Sequence, residues 1–331
     1  MHTELLSKLG GIKYQKWLEL LQSSGLTPDD LSDTTALLWD EDELVATGSR
    51  YDNILKFFAI DKNYQGAGHT ATIITALKKD AFDRGINHLF LYTKPENKDM
   101  FSSLFFYPIA ETDSVVLMEN KKNGINSFLD TIRTNETTGT NGCIVMNCNP
   151  FTRGHLYLIE TASKECDTLY VFVVSEDKSR FSAADRFEMV KLGTEHLPNV
   201  KVLPTGPYLI SSATFPTYFL KDRENAEKIK CATDIEIFTK YFVPEFKIKR
   251  RYVGTEPLSQ MTNQYNETLK ELLPQRGIEI IEIPRLETSN GPISASKVRA
   301  LIDENEYTEL KEILPKSTFD YLKEKEIIQE N

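Results

Sequence analysis

Two short runs in this 331-residue chain bring together side chains suited to holding a polyphosphate. The first is Thr152-Arg153-Gly154-His155, which follows Asn149-Pro150-Phe151. Behind it lies Cys143-Ile144-Val145-Met146, an apolar run that suits a buried parallel strand. Asn149-Pro150 breaks that run and turns the chain. From Gly154 onward Leu156, Ile159 and Ala162 recur at spacings of three, a helical pattern. Strand, turn and helix start therefore follow one another directly. Such a junction presents unpaired backbone N–H groups and the positive end of a helix dipole to an anion. Thr152 and His155, three residues apart, set a hydroxyl and an imidazole toward the same anion. The second run is Ile293-Ser294-Ala295-Ser296-Lys297-Val298-Arg299. Ser294 reads as an N-cap, and two hydroxyls, the first helix amides and Arg299 converge there on one anion.

The elements around these runs alternate strand and helix, the pattern of a parallel α/β sheet. Strands are expected at 144–146, 169–174, 200–203, 249–253 and 278–283. Helices are expected at 155–164, 184–194, 260–273 and 296–304, with an irregular helical region at 215–239. Ligands of open sheets sit beyond the carboxyl ends of the strands, and each polar cluster in this half follows one of those ends. Lys178, Arg180 and Arg186 come after the second strand, Ser212 and Thr214 after the third. These five are candidate contacts for phosphate or a small carboxylate. Gly254-Thr255-Glu256-Pro257 comes after the fourth, where a glycine lets backbone approach a base or ribose, and Thr262, Tyr265 and Asn266 follow. Arg285 is a further candidate for phosphate.

The first half of the chain has another organisation. An amphipathic helix is expected at 4–21, a short helix or turn at 26–31, and strands at 34–39, 44–51, 54–60, 88–93 and 115–118. A helix at 71–84 follows Gln65-Gly66-Ala67-Gly68, whose glycines let backbone approach a phosphate at a helix start. His69 and His88 read as loop or surface histidines. A helical bridge at 125–133 leads into a polar linker at 134–142. That linker marks the boundary between a first domain, 1–133, and a second, 143–331.

Composition narrows the function classes. The net charge of −10 argues against a nucleic-acid binder, which needs a basic footprint. The four cysteines, Cys143, Cys148, Cys166 and Cys231, show no metal spacing and read as reduced thiols of a cytoplasmic protein. Cys148 in the phosphate turn reads as a packing residue. No run approaches 18 apolar residues, so no membrane span is expected, and residues 1–11 lack the apolar core of a signal peptide.

Thr152-X-Gly-His155 resembles the (His/Thr)-X-Gly-His signature of the nucleotidylyltransferase superfamily. Residues 293–299 resemble its Ile-Ser-X-(Ser/Thr)-X-X-Arg motif, and Arg186 stands where that superfamily often places an arginine. Gln65 to Gly68 resembles the pyrophosphate loop of GNAT-type N-acetyltransferases, with Thr70 in the final small-residue position and Leu104-Phe105-Phe106 where a Leu-Gly-Phe is usual. The resemblance there implies the fold in preference to retained acetyl transfer. A GNAT-like α+β half joined to a Rossmann-like, doubly wound nucleotidylyltransferase half resembles the citrate lyase ligase family. Residues 146–152, 211–219, 253–257 and 293–296 carry the likeness, and Arg153 departs from the apolar residue expected there.

The resemblance implies ATP and Mg²⁺ as cofactors, with Mg²⁺ held mostly by ATP and no protein metal site. It implies that acetate attacks ATP to give acetyl-adenylate and pyrophosphate, and that the acetyl group passes to a thiol. That thiol belongs to the dephospho-coenzyme A-derived prosthetic group on the citrate lyase acyl carrier subunit. His155 and Thr152 would be catalytic. Asn147, Asn149, Phe151, Gly154, Gly254, Thr255, Glu256, Ser294, Ser296 and Arg299 would join them in binding ATP. Gln65, Gly66 and Gly68 would dock the prosthetic group. Two alternatives stay open on the residues: a cofactor adenylyltransferase of the phosphopantetheine or nicotinamide mononucleotide type, and an acetyl-coenzyme A-dependent acetyltransferase with an ATP-sensing domain.

Overall fold

Alternating side chains along β2 (Thr34–Asp40) are buried on both sides, Ala36 and Leu38 on one, Leu37 and Trp39 on the other. In this computed structural model β2 therefore lies inside a sheet covered on both faces. The model describes residues 1–28, 32–134, 138–177, 179–209, 226–257, 259–288 and 291–329. It divides into two units, Met1–Gly124 with Phe215–Ile229, and Ile125–Thr214 with Lys230–Asn331.

The first unit is a seven-stranded sheet flanked by helices. Its elements are β1 (His2–Leu6), α1 (Gly11–Ser23), β2, β3 (Glu43–Tyr51), β4 (Ile54–Ile60), α2 (His69–Asp83), β5 (Phe90–Thr93), α3 (Lys98–Ser103), β6 (Tyr107–Glu111) and β7 (Val116–Glu119); α4 (Gly124–Ile132) opens on the last residue of this stretch and otherwise belongs to the second unit. The strand order is β1-β2-β3-β4-β5-β7-β6. Trp17 of α1 meets Phe57 edge-on. Ile73, Ile74 and Leu77 of α2 bury against Ala36, Leu38 and Val45. Among the described residues of this unit only β4 and β5 pair in parallel, and their register covers Ile54↔Phe90 and Leu55↔Leu91. Past that rung the two strands diverge into a cleft in this mixed sheet.

Several expectations need correction here. The chain from His2 to Leu6 is an edge strand paired antiparallel with β2, not the start of the helix. Residues 7–10 separate the two, and Gly11, which opens α1, has φ +55°. Leu26 to Pro28 is not helical, and 29–31 lie outside the described residues. The strand β6 was not expected at all. His69 is buried, and His88 meets Glu119 at 2.6 Å.

In the second unit the elements are β8 (Asn141–Met146), α5 (Arg153–Ser163), β9 (Thr168–Val173), α6 (Ala183–Thr194), β10 (Val200–Pro204), α7 (Ala226–Ile237), α8 (Val243–Glu245), β11 (Ile248–Gly254), α9 (Gln260–Leu272), β12 (Glu279–Ile283), the short pair β13 (Glu287–Thr288) and β14 (Gly291–Pro292), then α10 (Ala295–Glu304), α11 (Tyr307–Ile313) and α12 (Lys316–Glu324). Five strands pair in parallel in the order β10-β9-β8-β11-β12. The order reverses between β8 and β11. Their shared register ends at Arg251↔Cys143, although each strand runs three residues further. That divergence opens the crevice where doubly wound sheets bind ligands.

The strand β8 begins three residues earlier than expected, inside the polar stretch. The Asn141 side chain is buried and donates to Phe246 O at 2.9 Å, so a polar residue serves as the first rung. Between α7 and α8 the chain makes a π-helical turn, Phe238–Phe242. The expected helical region from 215 lies outside the described residues as far as 225. The helices α11 and α12 were not expected; Leu310, Ile313, Phe319 and Leu322 carry them into the same core as Phe151 and Ile159.

Candidate active site

Thr152 is the N-cap of α5, with extended backbone at φ −118° and ψ 167°. Its hydroxyl accepts from the His155 N–H at 3.4 Å, and its own N–H donates to His155 Nδ1 at 3.0 Å. Together they form a reciprocal capping box in which the second member is a histidine. Because Nδ1 accepts, a neutral ring carries its proton on Nε2. Burial, and to a lesser degree the Arg285 guanidinium, lower the His155 pKa to about 4. At neutral pH the imidazole is therefore an uncharged Nε2–H donor. Phe151, fully buried, stacks on His155 with centroids 5.9 Å apart and planes 13° apart. Gly193 leaves room for that ring: a Cβ there would stand 2.4 Å from Phe151 Cε1.

Ser294 caps α10 and accepts from the Lys297 N–H at 3.1 Å. Arg299 reaches from α10 to the turn after β8, donating to Asn149 O at 2.6 Å and to Ser296 Oγ at 3.0 Å. Asn149 Oδ1 accepts from the Phe181 N–H, and the Asn149–Pro150 bond is cis. The two helix starts thus lie together: a Cβ on Gly154 would be 3.7 Å from Ile293 Cβ. One cleft is lined by Thr152, Gly154 and His155, by Gly254, Thr255 and Glu256, and by Ile293 and Ala295. Arg285 closes a side of it. It donates to Glu256 Oε1 at 2.7 Å and to Ile293 O at 3.1 Å, and its N–H to Thr255 Oγ1 at 2.9 Å. Asn266 Nδ2 donates to Gly254 O at 3.0 Å, anchoring the end of β11.

Other candidates stand elsewhere. Arg186 is fully buried and does not line the cleft. It donates to the carbonyls of Phe181, Asn147, Val174 and Glu176 and to Asn147 Oδ1. Its donors are spent stitching the turn after β8 to the end of β9, which corrects its expected role as an anion contact. Arg180 pairs with Asp303 at 2.7 Å and donates to Arg299 O. Asn147 is exposed, and its Nδ2 donates to Ser179 Oγ at 3.3 Å. The Phe151 ring belongs to the core and supports His155 from beneath. Lys178, Ser212 and Thr214 lie outside the described residues. The Cys148 thiol is buried and pushed well above its ordinary range, so it is a packed thiol. In the first unit, Gln65 and Gly66 line the cleft between the ends of β4 and β5, together with Lys62 and Lys94. Gly66 and Gly68 have φ of +82° and +79°, which only glycine takes without strain.

The family described as Citrate lyase ligase C-terminal domain matches residues 141–322. The [Citrate [pro-3S]-lyase] ligase of Klebsiella pneumoniae is 39% identical over 288 residues, covering 85% of this chain and 84% of that protein. The chain belongs to the citrate lyase ligase family. The Escherichia coli protein of the same name is 36% identical over 311 residues, 92% of this chain and 88% of its own. The phosphopantetheine adenylyltransferase of Clostridium botulinum is 32% identical over 117 residues, 35% of this chain and 67% of that one. The family likeness extends over both halves, whereas the adenylyltransferase likeness is confined to about a third of the chain. This citrate lyase ligase family member is an enzyme of the ligase class. Among the described residues, no helix is long and apolar enough to cross a membrane.

Arg251 and Tyr265 also line the cleft. Arg251 went unremarked in the sequence, although a cationic residue in the middle of an expected buried strand was the available signal.

Proposed function

We propose that this citrate lyase ligase family enzyme activates citrate lyase by making acetyl-adenylate in the crevice between β8 and β11 and passing the acetyl group to the acyl carrier subunit. The observation that carries this reading is the single cleft shared by the Thr152–His155 helix start and the residues flanking Ser294. ATP would lie across it, with its base and ribose against Gly254, Thr255 and Glu256 and its phosphates at the two helix starts. Ser294, Ser296 and Arg299 would hold the leaving pyrophosphate. Thr152 and the Nε2–H of His155 would donate to the α-phosphate oxygens as charge builds there. One acetate oxygen forms the new bond to the α-phosphorus, the bond to the β-phosphate oxygen breaks, and no proton need move. Asn147, Asn149 and Phe151 would act from behind, shaping the turn and seating His155.

Among the described residues, no group of three or more histidine, cysteine or acidic side chains is placed to hold a metal. Mg²⁺ would be bound mostly through the ATP phosphates. The partners of the reaction would be acetate and the carrier's dephospho-coenzyme A-derived thiol, with neither nucleic acid nor membrane involved, in the cytoplasm. The N-terminal domain, 1–133, would serve as the docking module and 143–331 as the nucleotidylyltransferase domain, joined by 134–142. The β4–β5 cleft supports this, since Lys62 and Lys94 are cations suited to a diphosphate beside Gln65, Gly66 and Gly68.

The test is pyrophosphate release from ATP with and without acetate, and with and without the deacetylated carrier subunit. Acetate-dependent release, with transfer to the carrier thiol, is expected. Release that needs a phosphorylated cofactor instead of acetate would overturn the reading, as would acetyl-coenzyme A consumption without pyrophosphate.

A further inference from the structure

We propose that Arg251 receives the carboxylate of the acetate substrate. This rests on the acetyl-adenylate reading above and adds the residue that holds the second substrate. Arg251 is 3% exposed, on the last rung shared by β8 and β11, and it lines the same cleft as His155. Its guanidinium lies 4.7 Å over the Phe238 ring, and its Nε has no hydrogen-bond partner among the described residues. A buried arginine normally has its donors filled by carboxylate or carbonyl oxygen, and an open donor calls for an explanation. Arg186 in the same unit shows the filled arrangement, with five acceptors around it.

The nearby acid does not fill that need. Asp234 Oδ2 accepts from the Tyr265 hydroxyl at 2.6 Å, and burial raises its pKa. Tyr265 thus engages the carboxyl while itself lining the cleft, and although both groups lie close enough to act on the guanidinium, the Arg251 Nε stays without a partner among the described residues. Cys143, Asp234, Tyr265 and the Phe238 ring surround the guanidinium, and the cleft it lines also carries the aliphatic Ile144 and Val145 of β8. A cation with an open Nε donor, in a cleft that also offers aliphatic side chains, suits a small monocarboxylate with an apolar tail. Such a ligand would have its carboxylate fixed and its size limited.

The experiment measures acetate-dependent pyrophosphate release by the full-length R251Q and Y265F variants, with melting temperature recorded for each. R251Q removes the charge at similar volume. Y265F frees Asp234 to pair with Arg251 and compete with acetate. Loss of a charge-assisted contact should raise the acetate KM of R251Q by about tenfold or more, with the ATP KM within about threefold of the wild type. Y265F should raise the acetate KM in the same direction. A merely structural Arg251 would lower the melting temperature and leave the acetate KM unchanged. An unchanged acetate KM in R251Q overturns the proposal, as does an unchanged value in Y265F if R251Q fails to fold. If the wild type itself releases no pyrophosphate with acetate, the underlying reading fails instead.

Discussion

His155→Asn separates the two jobs of one ring. In the native site Nδ1 accepts from the Thr152 N–H at 3.0 Å, while Nε2–H is the donor left for substrate. An asparagine amide oxygen can take over the first bond, since it sits about where Nδ1 does, but it cannot reach as far as Nε2. The capping box would survive, so stability should fall by no more than about 1 kcal/mol, the usual worth of a cap. The lost donor faces charge that develops on the α-phosphate, and removing one such donor costs about 10²–10³ in kcat, roughly 3–4 kcal/mol. The assay is steady-state pyrophosphate release over pH 5–8, with chemical denaturation of both proteins. Since the pKa of His155 is lowered to about 4, wild-type kcat/KM should show no acid limb near 6.5 that depends on this residue. The same shift has a stability consequence. Below pH 6.5 the unfolded chain takes up a proton that the native ring refuses, so stability is lost as pH falls from about 6.5 toward 4, by up to about 1.4 kcal/mol per unit. The Asn variant should lack that loss. Activity within tenfold of wild type, or a wild-type limb near 6.5 that vanishes in the variant, would refute the neutral-donor account.

Three further perturbations test the scaffold. Gly193→Ala would drive a Cβ to 2.4 Å from Phe151 Cε1; overpacking of this kind costs about 1–3 kcal/mol, and a rise in the ATP KM should accompany the drop in melting temperature because Phe151 seats His155. Arg186→Met would strand buried carbonyls now satisfied by the guanidinium; a loss of about 3 kcal/mol or more in denaturant unfolding is expected, with activity lost as the turn loosens. Gly66→Val and Gly68→Val place a side chain at φ +82° and +79°, a strain of about 1–2 kcal/mol each, and the KM for the carrier subunit should rise while that for ATP holds. An unchanged carrier KM would remove the docking role of the first unit.

Much of the site was legible because it is local. The strand β8, the turn at Asn149-Pro150 and the cap at Thr152 are consecutive, so residue order alone placed hydroxyl, imidazole and helix start together. Ser294-Ala295-Ser296 announced itself for the same reason, a cap being a property of neighbouring residues. The alternating elements 143–304 also showed in the apolar period, which is set by backbone geometry. The short edge strand β1 and the helices α11 and α12 did not, because few residues per element leave too little period to read. Packing partners decided them.

Residue order by itself determined which side chains cap which helix and that two helix starts carry anion-binding groups. Only the tertiary structure decided the rest: that both starts open on one crevice, that Arg186 is consumed by carbonyls, and that Arg251 keeps an open donor at the crevice floor. The physical reason is range. Capping acts over three or four residues, whereas burial and hydrogen-bond satisfaction depend on strands brought together from about a hundred residues apart.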